Sequence, residues 1–271
     1  MPPLALIPGF RLPSLTLGPI TVQSFGVLTA LGVIAAVYLS SRAARGMGKD
    51  PQVVMDFSVV GVSAGVVCGH LLHLFAYHPE ELRQIVQILK VWEGLSSMGG
   101  LLGGILAAVV WFRTKRIPFS DYSDAIALGM APGWGVARIG CFTVHDHPGV
   151  RTDFFLAVNM DGVPRHDLGL YEAILLLGLG ALLWILHRRG ILRGRLLSLL
   201  AVLYGGARFF LDFLRARPGD VPYADARYFG LTPAQYVVVG LVAYGGYRLA
   251  TSRPAPARES PGPGRPSAPA V

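Results

Sequence analysis

Residues 168–186 read LGLYEAILLLGLGALLWIL, an apolar run of nineteen residues with one formal charge, Glu172, that ends against His187, Arg188 and Arg189. The hydrocarbon core of a bilayer takes about 20 apolar residues of α-helix, so this stretch predicts a membrane-crossing helix. Six further runs of similar character surround it, at 22–40, 54–77, 98–112, 122–136, 196–213 and 233–249. The fold class predicted is therefore all-α, a polytopic membrane protein of about seven transmembrane helices. Runs 98–112 and 122–136 are short for a full crossing, and the second contains Pro132 and Gly133. Both are expected to lie tilted or partly buried in protein.

Composition agrees. Of 271 residues 52% are hydrophobic and 15% charged, against about 25% charged in ordinary soluble chains. The mean hydropathy is +0.50, and 34 glycines suit helices packed closely in a membrane. A net charge of +8 suggests nucleic acid at first sight. A nucleic-acid binder gathers such charge on one face, whereas here it sits at the ends of apolar runs, and no nucleic-acid partner is expected. Cys68 and Cys141 fit neither a zinc nor a disulfide framework and read as small packing residues. The opening MPPLALIPGF has no basic region and no cleavage site, so no cleavable signal peptide is expected. Residues 1–20, with Pro13 and Pro19, are expected to be extended or weakly amphipathic, and 89–97 amphipathic. Residues 1–250 are read as one membrane domain and 251–271, rich in Pro and Ala, as a disordered cytoplasmic tail.

Charge orients the seven runs. The connections after the first, third and fifth and the stretch after the seventh carry three, three, four and three Lys/Arg. The alternate connections balance both signs, as in Glu80, Glu81, Arg83, Lys90 and Glu93. Basic loops stay in the cytoplasm. The N-terminus and residues 138–167 are thus expected outside an inner membrane, and the C-terminus inside.

That outer segment opens with ARIGCFTVHDHPG, residues 137–149, which sets Arg138, His145, Asp146 and His147 directly after an apolar run. Ionisable groups so placed mark a site more often than an anchor, with Gly140 and Gly149 expected to let the backbone turn. Arg208, Asp212 and Arg215 follow at spacings of four and three, on one helical face. An Asp212 pair with one arginine would leave the other for a phosphodiester, which a guanidinium fork matches. Tyr171 and Glu172 begin the 168–186 run, where Glu172 is either a favourable charge at a helix start or catalytic. A metal is not expected, because His145, Asp146 and His147 cannot converge on one ion without a tight turn, and no recognised ligand pattern accompanies them or His166. His70 and His73, one turn apart, read as a packing face.

From about residue 17 to 249 the chain resembles the prolipoprotein diacylglyceryl transferase family. LGPITVQSFG resembles the family's entry into its first helix, GLSSMGGLLGG its His-Gly-Gly segment, and ARIGCFTVHDHPG its Arg-x-Gly-Asn-Phe signature. RHDLGLYEA resembles its Tyr-Glu segment and YGGARFFLDFLR its closing Tyr-Gly-x-x-Arg pattern. The resemblance implies transfer of diacylglycerol from phosphatidylglycerol to a lipobox cysteine in a prolipoprotein signal peptide, releasing glycerol phosphate, with no cofactor. It assigns Arg138 and Arg208 to the phosphate side, and Gly140, Phe142 and Gly149 to the signature frame. It also assigns Tyr171 and Glu172 to the Tyr-Glu pair, with Arg215, Cys141, Met98, Gly99 and Gly100 at further substrate-contacting positions. Where the family has histidine, asparagine, glutamate and an early tyrosine, this chain has Met98, Cys141, Asp146 and Phe25. The base role then falls to His145 or His147, assisted by Asp146; the alternative is a phospholipid-binding paralogue without turnover.

Overall fold

The structure, a computed structural model, describes residues 7–12, 14–17, 20–77, 88–90, 94–221, 224 and 227–251. The tail expected at 251–271, apart from Thr251, and the acidic HPEE stretch lie outside the described residues, as do residues 91–93 of the 89–97 segment. The described residues form seven α-helices. They are α1 (Ser24–Gly46), α2 (Pro51–Leu72), α3 (Ser97–Thr114), α4 (Ser120–Val144), α5 (Leu168–Arg188), α6 (Leu196–Leu211) and α7 (Pro233–Thr251). A π-helical turn, His73–Tyr77, extends α2, and a 3-10 turn, Asp212–Leu214, extends α6. Six of the helices are long and apolar enough to cross a membrane, α7 being the one outside that group among those described.

Helix α4 is the central element. Over its most apolar window 56% of residues are buried, against 11% for α1. At 25 residues it spans about 37 Å at 1.5 Å per residue, so the expectation of a short, interrupted run is corrected. The chain stays helical through Pro132 because its neighbours repair the damage. Proline has no N–H to offer Leu128, four residues back. The indole Nε1 of Trp184 on α5 donates to the Leu128 carbonyl at 3.0 Å instead. In a bilayer such a freed carbonyl must be satisfied by protein. Helix α1 crosses α4 almost in backbone contact, since a β-carbon at Gly133 would lie 2.5 Å from the carbonyl oxygen of Gly32. Helix α2 pairs with α3 in the same way, and α6 with α7.

The basic connections share one end of the bundle. Lys49, after α1, reaches Asp121 at the start of α4 at 2.6 Å. Asp124, one turn further, accepts the backbone N–H of Gly194 in the α5–α6 connection and of Leu196 at the start of α6, at 2.5 and 2.9 Å.

At the opposite end the all-α expectation needs correction, because strands are present. β1 (Leu15–Leu17) and β2 (Ile20–Val22) form an antiparallel hairpin. β3 (Pro148–Arg151), β4 (Val158–Met160) and β5 (Val163–Asp167) form a second sheet, in the order β3-β5-β4. Strands of three to five residues carry too little alternation to be read from sequence. Their register comes from outside: Ile7 bridges Val158, Gly149 bridges Arg215, and Arg165 donates to the carbonyls of Gly149 and Asp220, each at 3.0 Å. The sheet thus lies over the ends of α4, α5 and α6.

Candidate active site

Three helices deliver one buried charge cluster under that sheet. Arg138 comes from the last two turns of α4 rather than from its end, Glu172 from the second turn of α5, and Arg208 from the last turn of α6. Their side chains are 2%, 0% and 1% exposed. Glu172 lies between the two arginines, with Oε2 3.2 Å from Arg138 Nε and Oε1 3.3 Å from Arg208 Nε. Tyr204 Oη also donates to Glu172 Oε2 at 2.9 Å. The helix start is capped instead by Asp167, which accepts the Leu170 N–H at 3.0 Å. Glu172 therefore serves the arginines, not the helix terminus.

The sequence expectation that Asp212 pairs with one arginine is also corrected. Asp212 Oδ1 receives both Arg208 Nη1 and, at 2.7 Å, Arg215 Nε, while Oδ2 accepts from Thr232 Oγ1 at 2.5 Å. Three arginines thus face two carboxylates, an excess of one positive charge. Proximity to Glu172 does not satisfy every donor. Arg138 Nε and Nη2 and Arg208 Nε are buried and, among the described residues, have no hydrogen-bond partner of acceptable geometry. The two Nε groups are close enough to Glu172 for ion pairing but aimed past its carboxylate.

A second cluster lies beside the first, built by a turn that sequence reading did not anticipate. Helix α4 stops at Val144, and His145 adopts a left-handed conformation at φ 52. For a residue other than glycine that conformation costs about 1–3 kcal/mol and needs support. Asp167 Oδ2 supplies it, accepting from His145 Nδ1 at 2.6 Å with both side chains buried. The reversal folds Asp146 and His147 back over the last turn of α4. As a result the Cys141 sulfur, an Asp146 oxygen and a His147 ring nitrogen lie within 4.8 Å of one another. Arg138 Nη1 donates to Cys141 Sγ at 3.6 Å, joining the two clusters.

Asp146 keeps 37% of its side-chain surface. Even so, the protein around it raises its carboxyl pKa to about 6, by burial first and then by Asp167, against the opposing pull of Arg138. His147 is held well below the usual imidazole range, by burial first and then by Arg215 and Arg138. Burial also lowers His166, whose Nδ1 shares a 2.8 Å hydrogen bond with Tyr171 Oη.

Other expected residues are placed differently. Gly140 does not turn the chain; it lies inside α4, near its end, against Phe25 and Leu28 of α1. Gly149 sits in β3 against His166 and Leu214, so the turn belongs to His145. Met98, Gly99 and Gly100 begin α3, where Met98 is buried and Gly99 packs against Cys68 and Gly69 of α2. His70 is also buried and its Nδ1 faces the Gly94 carbonyl at 3.4 Å. Sequence reading missed Asp167, although an aspartate three residues ahead of a backbone N–H at a helix start is a capping signal. Tyr204 was inside a quoted motif, but no spacing showed that it would reach Glu172. Beside both clusters, Tyr171, Ile174 and Leu175 of α5 and Ala207, Phe210, Leu211 and Leu214 line an apolar groove of about 590 Å³.

Residues 13–251 match the family described as prolipoprotein diacylglyceryl transferase. The chain belongs to that family. Relatives named phosphatidylglycerol–prolipoprotein diacylglyceryl transferase include one from Chromohalobacter salexigens, 31% identical over 86% of this chain and 88% of its own. One from Chloroherpeton thalassium is 33% identical over 76% of this chain and 80% of its own. Another, from Symbiobacterium thermophilum, is 27% identical over 84% and 90%. The family resemblance drawn from five sequence motifs is thus borne out. Of those motifs, the signature, Tyr-Glu and closing segments are the ones that build the two clusters.

Proposed function

We propose that the chain transfers a diacylglyceryl group from phosphatidylglycerol to the thiol of a lipobox cysteine in a prolipoprotein, on the outer face of a bacterial inner membrane. The observation that carries this reading is the set of buried, unsatisfied N–H groups on Arg138 and Arg208. A phosphodiester bears one negative charge, equal to the cluster's excess. Its oxygens are acceptors for donors that Glu172 approaches without satisfying. As the bond from the glycerol carbon to the phosphate oxygen breaks, negative charge grows on that oxygen, where preorganised donors act most strongly. Glu172 keeps the two arginines from separating, and Tyr204 holds Glu172. The groove lined by Tyr171, Ile174 and Phe210 suits an acyl chain beside the clamp. On the acceptor side, the polar groups next to the clamp are Cys141, Asp146 and His147. His145 is a positioning residue, since its Nδ1 is already committed to Asp167.

The test is complementation of a strain depleted of its own transferase, with lipidation of a reporter precursor as readout. Lipidation is expected. Its absence, with the protein inserted and binding phosphatidylglycerol, would instead favour a lipid-binding paralogue without turnover, the reading that buried Met98 supports.

The orientation follows from charge, and seven crossings require α7 to span as well. Support comes from the basic connections sharing one end while the clusters occupy the other. Reporter fusions at Arg116 and Arg189 are expected to give a cytoplasmic signal, and fusions within 151–161 a periplasmic one. A periplasmic signal at Arg189 would overturn the orientation.

A further inference from the structure

We propose that Thr232 and Gln235, at the start of α7, are positioning residues that keep the Arg208 guanidinium available to phosphate; this rests on the transferase reading above. Pro233 opens α7, and Thr232 and Gln235 form a capping box around that opening. The Thr232 N–H donates to Gln235 Oε1 at 2.9 Å, and the Gln235 N–H to Thr232 Oγ1 at 3.3 Å. Both side chains are buried, and each also reaches the end of α6. Gln235 Nε2 donates to the Phe209 carbonyl at 3.0 Å, and Thr232 Oγ1 donates to Asp212 Oδ2 at 2.5 Å. The direction of the second bond is settled, because an ionised carboxylate only accepts and a hydroxyl has one proton to give. The cap of one helix therefore touches the carboxylate that holds the arginines of another.

What the hydroxyl decides is how Asp212 meets Arg208. A carboxylate beside a guanidinium frequently takes two N–H groups at once, one on each oxygen. Asp212 does not. Its Oδ1 receives Arg208 Nη1 and Arg215 Nε, while Oδ2 is occupied by Thr232. The terminal torsion of an aspartate is broad, so without that hydroxyl the carboxylate can turn and close a fork on either arginine. A fork on Arg208 takes up a second N–H that phosphate would otherwise receive. A fork on Arg215 loosens Arg208 instead. Held as it is, Arg208 keeps its buried Nε without a hydrogen-bond partner among the described residues. The shared oxygen also holds Arg215, whose backbone bridges Gly149 in β3. One hydroxyl thus sets two arginines, and Gln235 sets the hydroxyl by tying Thr232 to the last turn of α6.

Neither residue makes or breaks a bond in the transfer. Their effect passes through Arg208, which faces the charge that grows on the departing phosphate oxygen. That separates two readouts, since a donor aimed at developing charge matters more to turnover than to lipid binding.

The experiment uses the full-length protein in detergent. It reads the unfolding temperature, binding of phosphatidylglycerol presented in mixed micelles, and kcat for lipidation of the reporter precursor. Thr232→Val keeps the shape of the side chain and removes the hydroxyl. Binding is expected to weaken by about 10-fold, the low end for one hydrogen bond to a charged group. The fall in kcat should be larger, about 10²-fold, the low end for losing one preorganised donor. Thr232→Ser keeps the hydroxyl and loses only a methyl group, so most of both losses should be recovered. Gln235→Met should move binding and kcat in the same direction by less. A lower unfolding temperature in Thr232→Val, with binding and kcat at the level of the parent, would reduce Thr232 to a helix cap and overturn the proposal. So would Thr232→Ser as impaired as Thr232→Val, because the methyl group would then be what matters. Absence of lipidation in the parent, with binding weakened in Thr232→Val and restored in Thr232→Ser, would overturn the transferase reading and leave the positioning role standing.

Discussion

Arg138→Ala is expected to lower transfer by at least about 10³-fold, and Arg208→Ala by a similar amount. Loss of one preorganised donor to a developing oxyanion costs about 10²–10³-fold in rate, and each guanidinium presents more than one buried N–H. Truncation also leaves charge behind. Without Arg138, Glu172 keeps Arg208 and Tyr204; without Arg208, both Glu172 and Asp212 lose a partner inside the bundle. An uncompensated buried charge costs about 3–5 kcal/mol, so Arg208→Ala should show the larger fall in thermal stability. Arg138→Lys and Arg208→Lys separate chemistry from folding. Each restores the charge but replaces a planar fork by a point donor, so stability should return further than activity does. The measurements are reporter lipidation and unfolding temperature in one detergent. Full transfer in both alanine variants would mean that phosphate is held elsewhere.

What the sequence disclosed about this site depends on how far each contact reaches along the chain. Apolar length placed all seven helices, five of them to within a few residues at both ends while α1 and α4 run on past the ends read for them, and the loop arginines grouped the basic connections, because both signals are local. The error at α4 is instructive. Pro132 and Gly133 read as an interruption, yet Trp184, some fifty residues away, takes the orphaned carbonyl of Leu128 and the helix continues. That extension carries Arg138 from a helix end into the buried interior. Charge pairing failed for a similar reason. The spacing of Arg208, Asp212 and Arg215 predicted one shared face correctly. It could not show that Thr232, at the start of another helix, would leave Asp212 able to serve both arginines. The His145 turn was hidden because a left-handed histidine has no sequence signal when the residue that holds it is Asp167, twenty-two positions later.

That dependence makes Asp167→Ala the second variant with a large expected effect. Asp167 is fully buried and does two jobs, capping α5 through Leu170 and holding the imidazole of His145. Losing a cap costs about 1 kcal/mol, and stranding a buried donor costs about 1–3 kcal/mol more, so a loss of about 2–4 kcal/mol in stability is expected. The effect on the site should be selective. Arg138, Glu172 and Arg208 sit on three helices below the turn and keep their mutual contacts, so binding of phosphatidylglycerol should survive. Asp146 and His147 ride on the turn itself and should move away from Cys141, so transfer should fall by about 10²-fold, at the lower bound for losing an activating group. His145→Gly supplies the control. Glycine adopts positive φ without the cost a side chain incurs, so the turn should persist without its anchor and transfer should fall far less than in Asp167→Ala. Equal losses in both variants would show that the imidazole acts directly rather than by position. Unchanged transfer in Asp167→Ala would show that the turn does not set the acceptor side at all.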